Sequence, residues 1–143
     1  MALNAYLKMK GETQGKIKGS VTQKGREGSF IVIAVDHEVI SPTDEASGLP
    51  TGKRQHRPLT ITKEVDISSP QLWNLLCNNE NISEWELQFW QPGRSGREQQ
   101  HYTINLIDAR IAGIRFEMLN NKYPENMQHK EREHVIPETI CRL

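Results

Sequence analysis

From Leu3 to Met9 apolar and polar positions alternate: Leu3, Ala5, Leu7 and Met9 fall on one face, Asn4, Tyr6 and Lys8 on the other. A period of two marks a strand with one buried face. Gly11, Gly15, Gly19, Gly25 and Gly28 then punctuate a polar stretch in which Ile17 to Val21 makes one short strand. The run Ser29 to Ile40 is the strongest strand signal, and its first half is apolar on both faces, as a central strand requires. Ser41 to Gln55 has Pro42, Gly48, Pro50 and Gly52 and no hydrophobic period, so it reads as a loop longer than most connections in compact domains. Alternation returns with Leu59, Ile61 and Val65 against Thr60, Thr62 and Glu64.

The period then changes. Ser69-Pro70 supplies a capping side chain and a preset φ, and Leu72, Trp73, Leu75 and Leu76 follow at helical spacing. Asn78-Asn79 closes a helix of two to three turns, whose Trp73 stripe is expected to pack into the core. Trp85, Leu87 and Phe89 alternate with Glu84, Glu86 and Gln88; Pro92 to Gly96 is a turn. Tyr102, Ile104 and Leu106 predict one strand and Ile111 to Met118 the next. Asn120 to Asn126 predicts a loop, and Met127 to Val135 a charged strand suited to an edge. Seven or eight short strands with one helix predict a mainly β fold, an antiparallel barrel or sandwich with the helix against its side. At 143 residues the chain fits a single domain.

Charge narrows the function. Eighteen Lys and Arg balance eighteen Asp and Glu, so there is no net positive field for nucleic acid, and near-neutrality suits self-association. The basic cluster Lys53-Arg54-Gln55-His56-Arg57 reads as loop surface rather than a phosphate site. No apolar run reaches signal-peptide or membrane-span length, which predicts synthesis and folding in the cytoplasm and export only by a route that reads no cleavable signal. Cys77 and Cys141 make no metal-site spacing; two buried or free thiols are the simpler reading beside one bond between them.

The chemistry-bearing patterns fail one by one. Gly93-Arg94-Ser95-Gly96 lacks the spacing of a nucleophile elbow. His129 and His134 are five apart in a strand-like segment, which sends their rings to opposite faces. Asp36 and Glu38 share a strand face and are the one place for a paired acid site, although a solvated edge is the plainer reading. Asn81-Ile82-Ser83 matches a glycosylation acceptor without a secretory context. No catalytic, cofactor or metal residues are therefore predicted.

Two segments carry a family resemblance. Ala5-Tyr6-Leu7-Lys8-Met9-Lys10-Gly11, and His56-Arg57-Pro58-Leu59-Thr60-Ile61-Thr62-Lys63-Glu64-Val65-Asp66 running into Ser68-Ser69-Pro70-Gln71-Leu72, resemble the haemolysin-coregulated protein (Hcp) family. The resemblance implies a β-barrel subunit of the type VI secretion tube. Six subunits would form a ring, and rings would stack around a lumen carrying effectors, with sheath and spike proteins as further partners. It also implies that 41–55 is the extended loop reaching adjoining subunits, with Thr43, Asp44, Glu45, Leu49, Pro50, Lys53 and Arg54 at the contact. An effector-binding chaperone, or a delivered enzyme using Asp36 and Glu38, is the alternative. After Val135 the chain departs from the family pattern: 136–143 reads as an atypical, truncated terminus, with Pro137 where a closing strand should run, which predicts an open barrel edge.

Overall fold

The computed structural model describes residues 4–118, 120, 122, 123, 125 and 130–142. Strand β1 (Ala5–Gly11) turns back at Gly15 into β2 (Gly15–Ile17). The chain then runs through β3 (Phe30–Asp36), β4 (Val39–Ile40), β5 (Gln55–His56), β6 (Leu59–Glu64), helix α1 (Ser69–Cys77), β7 (Ile82–Pro92), β8 (Glu98–Glu117) and β9 (Lys130–Arg142). All pairings are antiparallel, in the order β2-β1-β3-β6-β9-β8-β7, and β1 pairs β7 as well. That last pairing closes the sheet on itself, so the mainly β barrel with one helix expected from the pattern is the fold. Closure covers the free edge of β7, which would otherwise invite association.

The core follows the alternation. Leu7, Met9, Phe30, Val32, Leu59, Ile61, Trp85, Leu87, Leu106 and Ile111 point inward, and Leu72 and Leu75 of α1 join them. Each such side chain taken out of water contributes about 1.5–3 kcal/mol. One bulge and one left-handed residue change which parity faces in. A register shift between Val32 and Ala34 moves β3 from even to odd, so that Val35 lies opposite Ile61 and packs on the core. This is why β3 reads as apolar on both faces; Ile31, on its outer face, is 51% exposed. In β8, Asp108 takes φ 55, and the buried positions step from Leu106 to Ala109 and Ile111. The two strands expected over 102–118 are therefore one bent strand of 20 residues.

Several expectations are corrected. Tyr6 does not face water with Lys8: it is 2% exposed, with Arg26 of the 18–29 loop stacked over its ring and over that of Trp90. Trp73 is 37% exposed, so the helix buries Leu72 and Leu75 and leaves the tryptophan at the rim. The cap position is Ser68, with no side-chain cap bond; the Ser69 hydroxyl instead accepts the Asp66 N–H at 3.1 Å. At the other end Asn79 takes φ 50, the left-handed closure expected there. The Leu59/Ile61 face continues not to Val65 but to Lys63, which is fully buried.

The segment 130–135 is no edge: it pairs β6 on one side and β8 on the other. Beyond Val135 the register with β6 ends, while 136–142 continues along β8 with Pro137 opposite Ala109. A proline costs little where a strand has one neighbour and the partner is already bent at Asp108. Residues 136–142 therefore give β8 a partner over 104–110, and the edge expected near the atypical terminus falls on the far side of 136–142 rather than on β8. Leu3, Leu119, Met127 and His129, and Asn121, Pro124 and Asn126 of the expected 120–126 loop, lie outside the described residues.

Candidate assembly surfaces

The long connection between β3 and β6 is a two-stranded ribbon. Val39 and Ile40 pair with His56 and Gln55, an isolated bridge joins Thr43 to Pro50, and the Thr51 N–H donates to the Pro42 carbonyl at 2.8 Å. The turn at its end is built by Asp44, whose backbone N–H donates to the Leu49 carbonyl and whose carbonyl accepts the Gly48 N–H. Gly48 sits at φ 69, a conformation that favours glycine. The Asp44 carboxylate accepts the Ser47 hydroxyl at 2.7 Å and the Ser47 N–H at 3.2 Å. The Ser47 hydroxyl, foremost, and the N–H groups of Ala46 and Ser47 hold the Asp44 carboxyl below its ordinary pKa. At the root, the rings of His37 and His56 stack with centroids 5.8 Å apart.

Thr43, Asp44, Glu45, Leu49, Pro50, Lys53 and Arg54 thus share one element. The first five form the turn and its flanks; Lys53 and Arg54 lie on the returning limb. From Ser41 to Pro58 only Pro42 is even half-buried, and Leu49 is 64% exposed. Among the described residues nothing else presents so long a stretch to solvent. A two-stranded ribbon is marginal by itself, so its order depends on local turn bonds and on whatever it meets.

A second surface was not singled out from the sequence. On the outer face of β1 and β7, Lys8 lies opposite Glu86 and Lys10 opposite Glu84; Lys16 of β2 lies opposite Lys10. These side chains line a concavity of about 340 Å³. It adjoins one of about 250 Å³ lined by Ser83, Glu84, Glu86, Asn105 and Ile107. The alternation placed Lys8 and the two glutamates outward; only the pairing of β1 with β7 sets them side by side.

Among the described residues chemistry is not gathered anywhere comparable. Asp36 ends β3 and Glu38 lies beyond it, both exposed, so the strand on which they would share a face stops between them. Gly93 to Arg97 is a turn, with the Gly93 N–H donating to the Arg97 carbonyl at 2.7 Å. No cluster of three or more His, Cys, Asp or Glu is present among the described residues. No helix of the described residues is long and apolar enough to cross a membrane.

The conspicuous polar sites knit the fold instead. Lys63 Nζ donates to the Glu64 carbonyl at 2.8 Å, to Asp66 Oδ1 at 3.1 Å and to the Ser69 hydroxyl at 3.2 Å. Asp66 Oδ1 also accepts the Ser68 N–H and hydroxyl. The signature from β6 into α1 is thus a strand-to-helix joint around one buried ion pair, which sequence periodicity missed because it treats every lysine as solvated.

Comparison with known proteins agrees with this architecture. Residues 6–135 match the family model described as type VI secretion system effector, Hcp. The chain is 36% identical to the major exported protein of Pseudomonas aeruginosa, covering 94% of this chain and 84% of that one. A crystal structure of an Hcp protein superposes with TM-score 0.89 at 28% identity, covering 97% of this chain and 91% of the other. The secreted protein Hcp3 from Pseudomonas aeruginosa superposes with TM-score 0.79 at 30% identity, covering 97% and 88%. A closed barrel with one docked helix, an exposed ribbon and the β6–α1 joint therefore have one common origin: the chain belongs to the Hcp family, the tube proteins of type VI secretion.

Proposed function

We propose that this chain acts by assembling: six copies form a ring, and rings stack into a tube whose lumen carries effector proteins and which sheath and spike proteins contact. It has no catalytic role, and it leaves the cell through the secretion system itself. The observation that carries this reading is the ribbon, a long exposed element on an otherwise closed barrel. Thr43, Asp44, Glu45, Leu49, Pro50, Lys53 and Arg54 are its contact residues. Rotational assembly requires two different patches meeting head to tail, and a protruding arm with a separate receiving surface meets that requirement.

Negative-stain electron microscopy with mass from light scattering tests it. Six-fold rings with an open centre are expected. A monodisperse monomer at concentrations well above the micromolar range would overturn the reading.

A further inference from the structure

The ribbon needs a receiving surface, and the groove over β2, β1, β7 and β8 has the matching charge order. Across these four strands run two cross-strand rows. One reads Lys16, Lys10, Glu84; the other reads Lys8, Glu86, Asn105. The groove is therefore basic over β2 and β1 and acidic over β7, and Ile107, 45% exposed, ends it on β8. The ribbon carries the complementary order along its length: Asp44 and Glu45 at the turn, Lys53 and Arg54 on the returning limb, and the half-exposed Val39 and Ile40 at the root.

Length agrees as well. Fourteen residues separate Ile40 from Gln55. Folded as two limbs at about 3.3 Å per residue they extend roughly 20 Å, while four strands about 4.8 Å apart span roughly 15 Å. Lys10 and Lys16 also face each other directly, and like charges opposite one another destabilise a strand pair. An acidic turn laid over them relieves that repulsion.

We infer that the ribbon of one copy docks across this groove on another copy, its acidic turn over Lys8, Lys10 and Lys16 and its basic limb over Glu84 and Glu86. This rests on the reading of the chain as an assembling subunit, and it names the surface that receives the arm. Added salt weakens the contact, since exposed pairs are screened within about 10 Å at 0.1 M.

Charge inversion tests it without disturbing the fold. In the groove variant, Lys8→Glu, Lys10→Glu, Glu84→Lys and Glu86→Lys are combined, so the Lys8–Glu86 and Lys10–Glu84 positions keep opposite signs while the field these four show to a partner reverses, and Lys16 gains an opposite charge across from it. The ribbon variant combines Asp44→Lys, Glu45→Lys, Lys53→Glu and Arg54→Glu. Light scattering and electron microscopy of each full-length chain should show assembly requiring roughly tenfold or more higher concentration than the wild type. Thermal transitions by circular dichroism should stay near the wild-type value. Combining all eight changes should restore assembly to near wild-type concentrations. A groove variant that assembles like the wild type, or an eight-change chain no better than either parent, would overturn the docking. Absence of assembly by the wild-type chain would instead strike the subunit reading itself, and the docking with it.

Discussion

Glu80 shows how much one side chain can organise. It follows α1 and is 9% exposed, and its Oε1 accepts the N–H groups of Thr13 at 2.6 Å and Gln14 at 2.8 Å in the β1–β2 turn. Gln14 adds its side-chain amide at 3.3 Å to Oε2. Gly11 makes room for this, because a Cβ there would stand 2.6 Å from Glu80 Oε1. Burial by itself raises the carboxyl's pKa, but the donors from Gln14 and Thr13 together outweigh it and hold the value below the ordinary 4.5. A depressed carboxyl contributes stability that is fully present above 4.5 and lost as pH falls through the folded value, because the unfolded chain then binds the extra proton. Urea titrations from pH 7 down to pH 3 should therefore show Glu80→Gln losing about 1–3 kcal/mol at neutral pH and flattening the acid limb. Parallel curves for the two chains would contradict this account of Glu80.

At the scale of elements, the ribbon and the barrel strands differ in what holds them. β6 and β8 are held by neighbours and by inward-facing Leu59, Ile61, Leu106 and Ile111. The ribbon has its own pairing, the Asp44 turn and the stacked histidines at its root. Deleting residues 46–51 should therefore leave the thermal midpoint within about 2 °C of the wild type, since surface changes away from such features cost under about 0.5 kcal/mol. The same deletion should abolish or strongly weaken stacking, read by sedimentation and electron microscopy. A large drop in midpoint with assembly intact would assign the ribbon to folding instead. Its length and Pro/Gly punctuation were legible as an unusual loop, but its hairpin pairing was not. Val39–Ile40 and Gln55–His56 are two residues each, too short for any period to register.

For the whole molecule the decisive event is closure. β9 lies between β6 and β8, and β1 reaches β7 across the remaining gap. Residues 136–142 supply β8 with its partner over 104–110. Removing 136–143 should expose that stretch of β8 backbone, lower the thermal midpoint by several degrees and promote aggregation on heating. Unchanged melting with full solubility would mean that this pairing contributes little to the barrel.

The sequence alone determined the elements whose signal is local. Alternation located β1, β6 and β7; the period change at Ser69-Pro70 located α1; Gly and Pro located the turns; balanced charge and absent motifs pointed away from catalysis and nucleic acid. Tertiary structure decided what depends on neighbours. It buried Tyr6 beneath Arg26 and Lys63 within an ion pair, left Trp73 at the rim, and bent β8 at Asp108 rather than ending it. It also set Lys8 and Lys10 against Glu86 and Glu84 to make one groove. Periodicity reports which face a residue occupies, whereas burial and charge complementarity depend on what the closed sheet lays against that face.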